Sequence, residues 1–124
     1  MVIGSAVLYE LGILTGDIDD VDIVLLKSKI WEEFARTYKV IDVLYGKAVR
    51  LGRAFPNPWS IEFLDCIGPP EFNYMTKEGI VSGGINFITL ENLIEYKRLL
   101  NRKKDKFDIE LIEIYLQQRR CSIS

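Results

Sequence analysis

The chain has 124 residues, a length that fits one domain with a single hydrophobic core. Its net charge is −2, so it lacks the excess of Lys and Arg that broad, nonspecific nucleic-acid binding requires. It contains no histidine, which excludes the commonest general base and the commonest zinc ligand. Its cysteines, Cys66 and Cys121, stand in no paired motif, so we expect neither a disulfide scaffold nor a thiolate zinc site.

The N-terminal segment is a poor match to a signal peptide. Residues 1–14 lack a basic leader and contain Glu10. No uninterrupted apolar stretch of the chain is long enough to span a bilayer. We therefore expect a cytoplasmic protein without a membrane partner, in a reducing compartment.

The first predicted elements surround a Gly-Ser step. A short apolar segment at residues 2–3 ends at Gly4, and Ser5 is placed to cap a helix that ends at Gly12. After a turn, residues 20–26 are rich in β-branched side chains and predict a β-strand.

The middle of the chain predicts mostly extended structure. Residues 28–38 have apolar side chains at helical spacing and predict an amphipathic helix. Residues 40–44 and 47–53 predict two strands of a hairpin, and residues 59–64 predict a further strand. A long loop rich in Gly and Pro follows, and residues 85–88 predict a short extended segment.

The C-terminal part predicts a pair of helices. Thr89 is placed to cap the first, which runs to residue 100, and Asp105 is placed to cap the second after the basic turn at residues 102–104. The pattern predicts one α/β (α+β) domain over residues 1–124, in which helices pack on a small mixed β-sheet.

Two aspartates stand on one face of the predicted strand at residues 20–26. Side chains alternate along a strand, so Asp20 and Asp22 share a face and Asp19 points the other way. Magnesium prefers oxygen ligands and often binds one or two carboxylates together with substrate phosphates. The spacing fits such a metal site, and it equally fits an acidic turn that leads into a strand.

The Gly-Ser step offers a second candidate site. Backbone N–H groups at a helix N-terminus attract phosphate, Gly4 permits a close approach, and Ser5 adds a hydroxyl donor. The alternative is an ordinary helix cap. Together with the aspartates, the step would supply a phosphate cradle and a metal site within one short unit.

The segment GSAVLYELGILTGDIDDVDIVLL resembles the nucleotidyltransferase superfamily, which has the fold of DNA polymerase β. The hallmark of that superfamily is a helix that starts at Gly-Ser, followed by a strand with Asp-x-Asp. Members have a third carboxylate on a later strand, for which WSIEFLD offers Glu62, with Asp65 as a substitute.

The segment TLENLIEYKRLLNRKKDKFDIELI is similar to the tail of the small bacterial abortive-infection and toxin-type members. That likeness implies that Lys97, Lys104 and Asp108 border a nucleotide. Residues 39–82 match only loosely. Members commonly have a helix before the first strand, and this chain starts almost at the strand, which implies an abbreviated member or one that borrows a partner's surface.

The resemblance implies transfer of a nucleoside monophosphate from an NTP to an acceptor hydroxyl, with release of pyrophosphate. Asp20, Asp22 and Glu62 would hold two Mg²⁺ ions, and Gly4 and Ser5 would orient the β- and γ-phosphates. The acceptor would be tRNA, a protein or a small molecule, and the chain would act as a homodimer or with a partner protein. The alternatives are a noncatalytic nucleotide-binding or regulatory module of the same fold, as in a toxin–antitoxin pair, and a small α/β interaction protein.

Several residues keep a second interpretation. Glu62 also fits a solvent-facing strand position, and Lys97 also fits a surface lysine with a buried stem. Trp31 and Phe34 have the spacing of core residues rather than of base-stacking ones, and Trp59 could form a pocket wall.

Overall fold

The computed structural model describes residues 1–15, 20–52 and 60–123, and within them the fold is mixed α+β. The strands are β1 (Val2–Ile3), β2 (Asp20–Val24), β3 (Ile41–Val43), β4 (Gly46–Leu51), β5 (Ser60–Leu64), β6 (Ile80–Ser82) and β7 (Ile85–Phe87). The helices are α1 (Ser5–Glu10), α2 (Ser28–Thr37), a 3-10 helix (Pro70–Lys77), α3 (Leu90–Leu100) and α4 (Lys103–Ile123). The predicted mixed sheet and C-terminal helix pair are confirmed.

All seven strands form one mixed sheet in the order β3-β4-β5-β2-β1-β7-β6. The central pair, β2 and β5, is parallel, and its register places Asp22 beside Glu62 and Asp20 beside Ser60. β1 pairs antiparallel with β2 on the other side, with Ile3 opposite Asp22. The two predicted carboxylate strands are therefore neighbours, with the Gly-Ser step at the end of the next strand.

The C-terminal helices cover the same sheet face that carries Asp22. Ile3 and Leu64 share that face by the alternation of side chains along the strands. Both are buried in one apolar cluster with Leu93 of α3 and Ile112 of α4. The hydrophobic core therefore lies between this sheet face and the helices. The part of the same face that carries Asp20, Asp22 and Glu62 is polar and lines a cleft.

The helix α2 covers the opposite face only partly. Phe34 packs its ring against Phe63 with 4.7 Å between ring centroids, and Phe63 alternates with Glu62 along β5. None of the residues of α2 is fully buried, and Trp31 and Phe34 are half-buried. Phe34 therefore packs on the sheet, away from the face that carries the carboxylates.

Of three predicted helix caps, one is confirmed and two are wrong. Thr89 caps α3 as predicted, since its Oγ1 accepts a hydrogen bond from the backbone N–H of Asn92. Ser5 does not cap α1: Gly4 is the N-cap residue, and no side chain caps this end. Asp105 is not a cap residue either, because α4 already begins at Lys103.

The segment predicted as a long loop contains regular structure. It holds the 3-10 helix and the β6–β7 hairpin, whose turn residues Gly83 and Gly84 have φ angles of 57° and 78°. A two-residue turn with both φ angles positive favours glycine, so the Gly-Gly pair was an available hairpin signal. The predicted β3–β4 hairpin is confirmed.

Some predictions lie outside the described residues. These are the orientation of Asp19 and the role of Trp59 as a pocket wall. Within the described part of the chain, no helix is both long and apolar enough to cross a membrane.

Candidate functional site

One cleft of about 760 Å³ lies where the sheet face meets α1, α3 and α4. A cleft of this size is within the range that binds small-molecule ligands. All the site residues that the sequence singled out line it, namely Gly4, Ser5, Asp20, Asp22, Glu62, Lys97, Lys104 and Asp108. Residues from the two ends of the chain and from its middle therefore converge on one space.

The carboxylates stand on the sheet side of the cleft. Asp22 on β2 is directly beside Glu62 on β5, and Asp20 is beside Ser60, whose Oγ donates a hydrogen bond to Asp20 Oδ1 at 2.6 Å. Asp20 is exposed and Asp22 is partly buried. Oxygen donors on adjacent strands are the ligand type that Mg²⁺ prefers, so these residues fit a hard cation.

The electrostatics of Asp22 also favour a cation. Burial raises the pKa of the Asp22 carboxyl to about 6, and repulsion from Glu62 and Asp20 acts in the same direction. The positive charges of Lys104 and Arg102 oppose this effect only in part. A cation at this position would relieve the repulsion and keep Asp22 ionised at neutral pH.

Glu62 has a competing partner. Its Oε2 accepts a hydrogen bond from Arg50 Nε at 2.5 Å, across the β4–β5 pair. Among the described residues, no group of three or more His, Cys, Asp or Glu stands in an arrangement that could hold a metal ion. The role of Glu62 as a third ligand therefore stays a prediction, and Arg50 would compete with a metal for one of its two carboxylate oxygens.

The substitute ligand Asp65 is placed elsewhere. Its Oδ1 accepts a hydrogen bond from the backbone N–H of Lys47 at 2.9 Å, and it does not line the cleft. Of the two acidic residues considered for the third position, only Glu62 lies next to Asp22.

Each residue of the Gly-Ser step lies next to one aspartate: Gly4 is close to Asp22, and Ser5 bonds Asp108. Gly4 has a φ of 75°, and a Cβ added to it would lie 2.9 Å from Asp22 Oδ2. A side chain at position 4 would therefore displace the Asp22 carboxylate. Ser5 Oγ donates a hydrogen bond to Asp108 Oδ2 at 3.3 Å, which links the start of α1 to α4.

Lys97 belongs to a buried ion cluster, which we define as Lys97, Asp105 and Asp108. Lys97 Nζ donates a hydrogen bond to Asp108 Oδ2 at 2.9 Å and lies 3.6 Å from Asp105 Oδ1. The Lys97 side chain is 2% exposed, so its interpretation as a surface lysine is wrong. The sequence could not show this, because the partners come from a different helix.

Arg102 connects this cluster to the cleft. Its Nε and Nη2 donate to the two oxygens of Asp105 at 2.6 and 3.1 Å, and its backbone N–H donates to the same carboxylate. Burial disfavours the charged form of Asp105, but these hydrogen bonds and the charges of Arg102 and Lys97 hold the pKa of its carboxyl below the usual value. The basic turn thus lies beside the site, with Arg102 and Lys104 both lining the cleft.

Tyr96 and Arg50 line the cleft, but the sequence did not single them out. The pKa of Tyr96 is raised to about 12 by burial and by the negative charge of Asp22. A tyrosine at an apolar helix position is typical of a core residue, so no sequence signal distinguished it. Arg50 lies on the second strand of the predicted hairpin, but the sequence does not show that this strand pairs with the strand of Glu62.

Comparisons of the chain with protein-family models, with curated proteins and with solved structures found no match.

Proposed function

We propose that the protein is a Mg²⁺-dependent nucleotidyltransferase that moves a nucleoside monophosphate from an NTP to an acceptor hydroxyl. The observation that carries the proposal is the convergence, in one cleft, of the Asp20–Asp22 pair with Gly4 and the basic turn. The acidic side of this cleft suits a metal, and the basic side suits the phosphates that come with it.

Asp20 and Asp22 would hold the metal. Glu62 would either join them as the third ligand, in competition with Arg50, or serve as the base. Bound Mg²⁺ would neutralise phosphate charge and lower the pKa of the attacking hydroxyl. The carboxylates come from adjacent strands of one sheet, so their separation is fixed by the backbone rather than by mobile loops. Such fixed positions reduce the reorganisation that the transition state requires.

The phosphates would lie between the start of α1 and the basic turn. Gly4 leaves room there because it has no side chain, and the first N–H groups of a helix lack partners within the helix. Lys104 and Arg102 would contribute positive charge from the other side of the cleft. The buried ion cluster would hold Ser5 in place, since Asp108 bonds both Lys97 and Ser5.

In the reaction, the acceptor oxygen forms a bond to the α-phosphorus while the bond from that phosphorus to the β-phosphate oxygen breaks. Pyrophosphate leaves, and the acceptor's proton passes to a carboxylate of the cleft. Glu62 would act either as this base or as the third metal ligand. Positioning and charge stabilisation supply most of the catalysis in this chemistry, so a chain without histidine can perform it. We propose tRNA, a protein or an aminated sugar as the acceptor, and a homodimer or a partner protein as the acting assembly.

The second candidate is a noncatalytic nucleotide-binding module, such as one member of a toxin–antitoxin pair. The Arg50–Glu62 hydrogen bond favours it, because Arg50 engages one carboxylate oxygen of the predicted third ligand and offsets its charge. A module of this kind would bind Mg-NTP through Asp20 and Asp22 without turnover.

Binding and turnover assays test both candidates. We expect wild type to bind Mg-NTP, and the double variant Asp20→Asn/Asp22→Asn to lose at least tenfold in affinity. Both charged ligands of the metal are lost, and even a single hydrogen bond to a charged group is worth roughly 1.5–3 kcal/mol. The matched control is Asp42→Asn, since Asp42 is an exposed strand aspartate outside the cleft. Equal affinity of wild type and the double variant would contradict the proposal.

Incubation with labelled NTPs and each acceptor class then separates the two candidates. Transfer of label with release of pyrophosphate supports the enzyme. Binding without transfer to any acceptor supports the noncatalytic module.

A further inference from the structure

Tyr96 combines a ring that packs against the apolar core with a polar hydroxyl, and it lines the cleft. It lies on α3 directly before Lys97. Within residues 1–15, 20–52 and 60–123, no residue accepts a hydrogen bond from its hydroxyl. Since no buried polar atom of the described residues lacks a partner, this hydroxyl is accessible to solvent, and the cleft is the space that Tyr96 lines.

The surroundings of the hydroxyl indicate what it would bind. The charges that act on it are those of Asp22 and Glu62 on the sheet, and of Arg102 and Asp105 beside the basic turn. Asp22, Glu62 and Arg102 line the same cleft as Tyr96, so the carboxylates that would hold a metal and the arginine that would face a phosphate share one space with it. A phenol is a neutral donor at neutral pH, and the ligand that brings acceptor oxygens to this position is a metal-bound polyphosphate.

The rigidity of the residue supports a role in binding. The ring is fixed by packing, and α3 is tied to α4 through the buried ion cluster at the next residue. The hydroxyl is thus held in place before any ligand arrives, so little side-chain entropy is lost on binding.

We propose that Tyr96 is a substrate-binding residue whose hydroxyl donates a hydrogen bond to a phosphate oxygen of the NTP. The inference rests on the proposed function and extends it: Tyr96 would favour the triphosphate over the nucleoside. It assigns no role to Tyr96 in proton transfer.

The substitution Tyr96→Phe removes the hydroxyl and keeps the ring. We expect about tenfold weaker binding of the preferred Mg-NTP, which is the lower end of the loss of a hydrogen bond to a charged acceptor. The matching nucleoside should bind wild type and the variant equally. Isothermal titration with both ligands measures the two affinities, and thermal unfolding checks that the variant keeps the stability of the wild type.

The control is Tyr74→Phe, because Tyr74 is an exposed tyrosine on the 3-10 helix outside the cleft. It should bind Mg-NTP as wild type does. If wild type binds Mg-NTP and Tyr96→Phe binds it equally well, the inference is wrong and the proposed function stands. An equal loss for NTP and nucleoside also overturns the inference, since it would indicate a structural or base-contacting role. A wild type that binds no Mg-NTP overturns both.

Discussion

Gly4 and Asp22 depend on each other at the scale of single residues. The backbone of Gly4 has a φ of 75°, and its missing side chain leaves the space that Asp22 Oδ2 occupies. The alternation of side chains correctly places Asp20 and Asp22 on one face from the sequence alone. The contact with Gly4 could not be predicted, because it depends on the pairing of β1 with β2.

Replacing Gly4 with alanine tests this contact. Gly4 has φ 75° and ψ −160°, a conformation that costs a residue with a Cβ roughly 1–3 kcal/mol, and the new methyl group would also push the Asp22 carboxylate aside. We expect Gly4→Ala to lower the free energy of unfolding by more than that amount and to weaken Mg-NTP binding. Urea unfolding and titration calorimetry measure the two effects.

Gly12→Ala is the matched control. Gly12 has nearly the same φ, 74°, and no atom within 4 Å of an added Cβ. It should show the cost of a positive φ without a clash, with unchanged ligand affinity. Equal losses of stability in the two variants would show that the clash at Asp22 is absent.

At the scale of elements, the two C-terminal helices are joined by a buried ion cluster. Lys97 is on α3, while Asp105 and Asp108 are on α4. The periodicity of the sequence predicted both helices and the Thr89 cap, but it could not pair them. A lysine is normally exposed, so only the contact between the helices shows that this one is buried.

The start of α4 shows a further limit of prediction. A Lys-Asp step after a turn resembles a cap at Asp105, yet α4 begins two residues earlier, and Asp105 bonds back to the N–H of Arg102. An acidic residue in the first turn performs the same task as a cap, since it satisfies an N–H group at the helix start. The sequence therefore identified Asp105 as a residue that stabilises the start of α4, but it placed the start of the helix wrongly.

Removing the cation of this cluster should destabilise the protein strongly. Lys97→Ala leaves two buried carboxylates without their ammonium partner, and breaking a buried ion pair costs about 3–5 kcal/mol. The control is the next residue: Arg98 forms exposed ion pairs with Glu95 and Glu113, and Arg98→Ala should cost less than about 1 kcal/mol. Urea unfolding of both variants measures the difference. Similar small losses for the two variants would contradict the buried cluster.

At the scale of the whole molecule, the order of the strands in the sheet determines which site residues meet, and the sequence alone does not predict this order. β1 is first in the chain but lies inside the sheet, between β2 and β7. This order brings the N-terminal Gly-Ser step beside Asp22, and the parallel pairing of β2 with β5 brings in Glu62. Local patterns fix the elements, whereas such pairings between distant segments depend on the packing of the entire chain.

The same strand order brings the negative charges of Asp20, Asp22 and Glu62 together. We expect this repulsion to make the folding stability depend on pH. The pKa of Asp22 rises from 3.8 in the unfolded chain to about 6 in the folded protein. Folding therefore favours the protonated carboxyl. The contribution of this carboxyl to folding stability is fully present below about pH 4 and is lost as the pH rises through 6. Since a tenfold change in proton affinity equals about 1.4 kcal/mol, the loss at pH 8 is about 3 kcal/mol.

The variant Asp22→Asn lacks this titration, so without divalent metal it should be more stable than wild type at pH 8, by up to about 3 kcal/mol, and equally stable near pH 4. Because Mg²⁺ binds the ionised carboxylates of the folded state, adding it at pH 8 should stabilise wild type and not the variant. Urea unfolding at both pH values, with Mg²⁺ or EDTA, measures these differences in stability.

The control variant Asp42→Asn should show no gain in stability at pH 8, since the Lys47 partner lowers the pKa of Asp42. A gap between wild type and Asp22→Asn that stays constant from pH 4 to 8 would show that Asp22 is not held in a repulsive cluster, and a gap that Mg²⁺ does not narrow would remove the cation from the site.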